Sequence, residues 1–376
     1  MDPARPRGGA GLIEPFSIEV GEDVLADLKA RIRSTRWPEE APAGAWEHGT
    51  DLAYLRELLA YWADGFDWRE QERRLNSFHH FRTELDGVRV HFVHERAPGG
   101  DGIPLIVTHG WPSSFVESLA LVPLLRERFD LVIPSLPGYG FSGRPDQVRT
   151  TRDTARLWHR LMQTLDYERY GAQGGDFGAS VSTWMALDDP EPLIGLHLHN
   201  LDDKPYTGPG ACPLSDSERA YVAQVESWDE RERGYSTIQG TKPQTLAYAL
   251  TDSPAGLAAW ILEKWRSWGD PGSHPERDFL LTNLTLYWAT QTIGTSIRDY
   301  YDMRHHGPQL GPDDHVGVPT AVAVFANMLV DEGTPPREWA QRLYDVQRWT
   351  VMPRGGHFAL AEEPELLAAD IAAFFG

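Results

Sequence analysis

Hydrophobic positions change their period along this chain, and the changes divide it into parts. Val24, Leu25, Leu28 and Ile32 recur at helical spacing up to a stop at Trp37-Pro38, and Leu52, Leu55, Leu58, Leu59 and Trp62 predict a second amphipathic helix. From Phe81 the period shortens to two: Val88, Val90 and Phe92 alternate with polar neighbours as in a half-buried strand. Leu105-Ile106-Val107 and Leu131-Val132-Ile133 are continuous apolar runs that end in Gly/Pro loops, the pattern of parallel strands covered on both faces. Helical stretches follow them, Val116 to Arg128 and Thr154 to Leu165. Strands alternating with helices predict an α/β fold with a mostly parallel sheet and flanking helices, whose ligands bind beyond the carboxyl ends of the strands.

After the sixth strand run, Leu193 to Leu198, the strand pattern lapses into Trp- and Tyr-rich helical spacing and resumes at Val318 to Phe325 and Trp349 to Met352. A helix from Pro364 to Phe375 closes the chain. The expected organisation is an N-terminal helical extension over 1–80, a core over 81–203 and 315–376, and an inserted helical cap over 204–314. The Pro- and Gly-rich head (Pro3, Pro6, Gly8, Gly9, Gly11) is expected to be mobile.

Composition narrows the partners. A formal charge of -20 opposes binding to nucleic acid or an anionic membrane surface, both of which call for clustered Lys and Arg. The single cysteine, Cys212, excludes an internal disulfide framework and fits a cytoplasmic protein, and its turn-like surroundings do not mark a reactive thiolate. The first residues contain Arg5 and Arg7 but no apolar stretch, so neither secretion nor a membrane anchor is expected. The sequence leaves a homo-oligomer open.

Three short segments carry chemistry. Gly174-Gly175-Asp176-Phe177-Gly178, between a strand-like run and a helix-compatible one, reads as a nucleophile elbow with aspartate in the nucleophile position. The bland alternative is a glycine turn whose Asp caps the next helix. His109-Gly110-Trp111-Pro112 follows the buried run ending at Thr108, where such folds supply one oxyanion N–H; the donors would be Trp111 and Phe177, although a plain turn fits the segment alone. Gly355-Gly356-His357-Phe358 places a histidine after the last strand, and nucleophile before histidine is the chain order of α/β-hydrolases, making His357 the base. The pairs His79-His80 and His305-His306 lack metal-ligand spacing, so no metal or other cofactor is implied.

These residues, with Phe16-Ser17-Ile18, Arg36-Trp37-Pro38, Leu75-Asn76-Ser77-Phe78, the loop Leu136 to Ser142 and the end Arg354 to Glu365, resemble the microsomal-type epoxide hydrolases over nearly the whole chain. The resemblance implies the α/β-hydrolase fold and hydrolysis of an epoxide to a diol, with water and a small-molecule epoxide as the reacting partners. Gly234 to Pro243 and Thr295 to Tyr300 resemble the family segments with two epoxide-activating tyrosines, which implies that role for Tyr235 and Tyr300, with Tyr301 as a neighbour easily mistaken for the latter. The family acid that orients the histidine follows the strand Val318 to Phe325. Counting from Phe325 reaches Met328, counting back from Trp339 reaches Asp331, and an insertion reconciles the two. The role is therefore expected at Asp331, with Glu332 next and Asp202, behind Asn200, as a further alternative. A haloalkane dehalogenase would need indole or amide donors around a halide, which the side chain of Phe177 cannot supply; a silent binding protein on this fold is opposed by the intact Asp176/His357 pair. Cap tryptophans (Trp228, Trp260, Trp265, Trp268, Trp288) suggest a bulky apolar or aromatic epoxide, although most are expected to pack the cap.

Overall fold

The computed structural model describes residues 12–40, 42, 44–144 and 146–376, so the expected mobility of the Pro/Gly-rich head lies outside the described residues. Its strands are β1 Glu14–Phe16, β2 His80–Leu85, β3 Val88–Glu95, β4 Ile103–Thr108, β5 Phe129–Pro134, β6 Tyr170–Gly174, β7 Leu193–Leu198, β8 Val316–Val324 and β9 Tyr344–Val351. They form one sheet in the order β1-β2-β3-β5-β4-β6-β7-β8-β9. Pairing is antiparallel from β1 through β3 to β5 and parallel from there to β9. β2 and β3 meet through the two-residue turn Asp86-Gly87, both with positive φ, the mirror-image turn that an Asp-Gly pair favours because its twist matches that of the flanking strands.

The apolar runs of β4 and β5 lie fully buried in the middle of the sheet, as helix cover on both faces requires. The helix expected over Val116 to Arg128 is broken into Phe115–Ser118, a tight turn at Leu119–Leu121 and Val122–Leu125. Pro123 accounts for part of this, since it has no N–H to carry an α-helical ladder onward. The next helix starts at Thr151, three residues before the apolar pattern suggests, because Thr150 and Asp153 cap each other's backbone N–H.

The N-terminal extension contributes more than helices. Beside Glu22–Arg33, Leu52–Asp64 and Trp68–Leu75 it supplies β1, which adds to the sheet edge at β2. Its other contacts run to the helices inserted between β7 and β8. These are Asp216–Glu232, Gly234–Gln239, Pro243–Asp252, Pro254–Ser267, Arg277–Thr290 and Ile293–His306. The Trp62 indole donates to Thr285 at 2.9 Å, the Tyr61 hydroxyl to Asp278 at 2.7 Å, and Thr50 to the Ala259 carbonyl at 2.6 Å. The extension thus grips the inserted helices from outside. Among the described residues, no helix is long and apolar enough to cross a membrane.

Candidate active site

Asp176 stands between β6 and the helix Phe177–Asp188, with φ 51° and ψ -132°. A side-chain-bearing residue is strained there, and such strain persists only where the surroundings enforce it. Two glycines let them do so. A Cβ on Gly178 would lie 2.0 Å from the Thr108 carbonyl oxygen, and one on Gly110 would lie 2.4 Å from Asp176 itself. The carboxylate is asymmetric in its partners. Oδ1 accepts the backbone N–H of Trp111 at 2.9 Å and of Phe177 at 2.7 Å, while Oδ2 lies 3.4 Å from His357 Nε2. One oxygen is held in a two-donor hole and the other faces the imidazole. The loop carrying Trp111 is steadied by His109, whose Nε2 accepts the Leu136 N–H; burial first, against the pull of Gly110 and Asp176, lowers this imidazole to about 4 and keeps it neutral.

His357 sits on the loop after β9. Its own N–H donates to the Trp268 carbonyl at 2.8 Å, and the N–H groups on either side, Gly356 and Phe358, donate to Glu362 at 2.9 Å each. Asp270 takes the Gly355 N–H at 2.6 Å, so the end of the helix Pro254–Ser267 and the last turns of the chain clamp the base between them. Burial disfavours a charged imidazole, yet the Asp176 hydrogen bond and the charges of Asp176, Glu332 and Glu117 outweigh it and hold His357 above its ordinary value.

The acids after β8 differ in orientation. Asp331 is exposed, takes the Gly333 N–H at 2.8 Å in a local turn and accepts from the Gln224 amide at 2.5 Å. Its neighbour Glu332 turns the other way: its carboxyl is enclosed, burial raises its pKa, and His357 is the first of the charges opposing that rise. Asp202 is exposed as a residue, but enclosure of its carboxyl pushes it up to about 7, and the charges reaching it are Asp176, Asp203, Arg233 and Glu332 rather than His357. Of the three acids, Glu332 rather than the expected Asp331 is the one whose charge acts on His357. Adjacent loop residues point to opposite sides, and Asp331 spends its carboxylate on its own backbone.

Tyr235, on Gly234–Gln239, and Tyr300, on Ile293–His306, meet above the nucleophile. Their hydroxyls pair with each other, and burial followed by the neighbouring charges keeps both well above the usual phenol range, hence protonated. Tyr235 stacks on Trp111 (5.6 Å, 4°), Tyr300 packs edge-on against Phe177 at 5.2 Å, and Trp268 lies 5.1 Å from Tyr235 and 5.0 Å from the His357 ring. Tyr301 faces elsewhere, lying against His305. Of the cap tryptophans, Trp268 borders the nucleophile, while Trp260 donates to Gln239 and Trp228, Trp265 and Trp288 are buried packing residues. Glu117, Asp270 and Glu362 escaped the sequence reading because a buried acid and a surface acid look alike in a short helix or a loop.

A carboxylate on a nucleophile elbow, a two-donor hole, a late histidine and an overhanging helical segment define an α/β-hydrolase with an aspartate nucleophile. The profile described as the epoxide hydrolase N terminus matches residues 13–118, and that of the alpha/beta hydrolase fold matches residues 103–211. Epoxide hydrolase 1 of Oryctolagus cuniculus is 36% identical over 97% of this chain and 89% of its own length. The solved juvenile hormone epoxide hydrolase of the silkworm Bombyx mori matches with a TM-score of 0.88 at 32% identity, covering 97% of this chain and 94% of that one. The Aspergillus niger epoxide hydrolase structure gives 0.85 at 31%, over 96% and 95%. The chain belongs to the microsomal-type epoxide hydrolase family.

Proposed function

We propose that the protein converts an apolar or aromatic epoxide to a vicinal diol in two steps on Asp176. In the first, Oδ2 forms a bond to an oxirane carbon, and the carbon–oxygen bond that breaks leaves its electron pair on oxygen, which takes a proton from the Tyr235/Tyr300 pair. In the second, His357 removes a proton from water, the resulting hydroxide attacks the Asp176 ester carbonyl, and the Trp111 and Phe177 N–H groups hold the charge gathering on Oδ1. Collapse releases the diol, which carries the former Oδ2 protonated by the His357 imidazolium, and the second hydrogen of the water, left on the Asp176 carboxyl, is lost to restore the tyrosine. Glu332 is the acid that stabilises the imidazolium of the second step.

The observation that carries this reading is the division of labour between the two oxygens of Asp176, one fixed by both backbone donors and one free of them beside His357. It also explains how His357 changes role. In the resting site the ionised Asp176 favours the protonated imidazole; once the ester forms, that charge is gone and the imidazole becomes a better base. The aromatic surround of Trp111, Phe177, Trp268 and the two tyrosines supports an apolar substrate. The test is His357→Gln incubated with styrene oxide. Its mass should rise by one substrate molecule, mapped to Asp176, whereas an unmodified variant of a protein whose parent turns over that epoxide would overturn the two-step route.

A further inference from the structure

A glutamate that the scheme above does not use lies beside the reacting atoms. Glu117, on the short helix after the oxyanion loop, is 4% exposed. Burial first, offset by Ser113 and His357, pushes its carboxyl up to about 7. The charged groups that reach it are His357, Glu362 and Asp176, with no Lys or Arg among them. A buried carboxyl whose nearest cation is an imidazole shared with Asp176 and Glu332 is costly, and an apolar side chain of similar size would pack there more favourably. Its position offers a reason for the cost. Glu117, Asp176 and His357 share the wall of one internal cavity with Ser113, His199 and Asn200. The space open to the centre of a water there is about 10 Å³, on the order of one water molecule. Neither tyrosine lines it, so it lies on the side of Asp176 away from the epoxide-activating hydroxyls, with Trp111 between the two.

We propose that this cavity seats the hydrolytic water and that Glu117 is its positioning residue, a statement that rests on the two-step reading above. A water in this space has His357 to take one hydrogen and Glu117 to accept a hydrogen bond from the other, which directs an oxygen lone pair at the Asp176 ester carbon. His357 takes the proton in the step itself, and Glu117 undergoes no net change. The ionised form of Glu117 also favours the imidazolium that forms. The alkylation step, which involves no water, does not call on Glu117.

The experiment separates the steps by stopped-flow fluorescence of the site tryptophans with styrene oxide, in the parent protein, Glu117→Gln and Glu117→Asp. The Gln variant should alkylate within about twofold of the parent rate and hydrolyse its ester about 10- to 100-fold more slowly, the range expected when a reacting group loses its orientation. Ester should accumulate to nearly one per molecule at steady state. The Asp variant, which keeps the carboxylate that Gln replaces with a weaker neutral acceptor but shortens its reach, should fall between. Unchanged ester hydrolysis in Gln overturns the proposal, as does an equal slowing of both steps, which would mark a structural role. If the Gln variant does not fold, the Asp variant is judged by the same two rates. Ester formation in the parent protein is established independently by the His357→Gln adduct, so a failure here is distinguishable from a failure of the two-step reading.

Discussion

Tyr235 and Tyr300 come from different helices but pair through their hydroxyls, so one can go on donating when the other is lost. Replacing either with Phe should slow alkylation by ~10²-fold, the usual cost of one oxyanion donor, and the double variant should lose more. Stopped-flow alkylation rates would show this; a double variant with the parent rate would remove the tyrosines from the reaction. The two acids beside each other give a sharper contrast. Glu332→Gln should slow ester hydrolysis while sparing alkylation, because only the second step creates an imidazolium, and Asp331→Asn should leave both rates near those of the parent. The reverse pattern would return the role to Asp331. Which of two neighbouring acids turns inward was not legible in the sequence, since no periodicity governs a loop and the local turn that occupies Asp331 appears only with the backbone. Asp176 and His357, by contrast, lie in short Gly-flanked segments whose geometry is local.

The last helix, Pro364–Phe375, illustrates what holds an element in place beyond its apolar face. Asp370 accepts from Arg348 Nε at 2.8 Å and Thr350 at 2.7 Å on β9, and lies 3.1 Å from His197 Nε2 on β7. Burial alone would raise this carboxyl, but the hydrogen bonds from His197, Arg348 and Thr350 prevail and lower it to about 2. A depressed carboxylate stabilises the fold above the unfolded-state value and loses that contribution as pH falls through the folded one, because the unfolded chain takes up the proton first. Asp370→Asn should therefore lower stability at neutral pH and flatten its decline between about pH 4 and 2. Urea melts across that range check this, and parallel curves for the two proteins would contradict it. The helix itself was legible from its Pro start and apolar spacing, whereas its ion-pair anchor was not, because Arg348 and His197 are distant in sequence. The break at Leu119–Leu121 was missed for the opposite reason: the apolar pattern runs on through a proline.

Across the whole molecule, the base loop, the inserted helices and the N-terminal extension are tied in series. The extension grips the inserted helices through Trp62, Tyr61 and Thr50, and those helices hold His357 through Trp268 and Asp270. The alternation of strands and helices made the sheet and its insertion legible early. The addition of β1 to the sheet edge was not, since three residues carry too little pattern to register as a strand. The central claim for the assembled site is that the reaction passes through an ester on Asp176. A single turnover in ¹⁸O-water, with protein in excess over epoxide, tests it most directly. The first diol formed should carry no label from the solvent, having received its new oxygen from Asp176, and the heavy isotope should appear in the Asp176 carboxylate. Heavy oxygen in that first diol, with none in Asp176, would mean that water attacks the epoxide directly and would contradict the account.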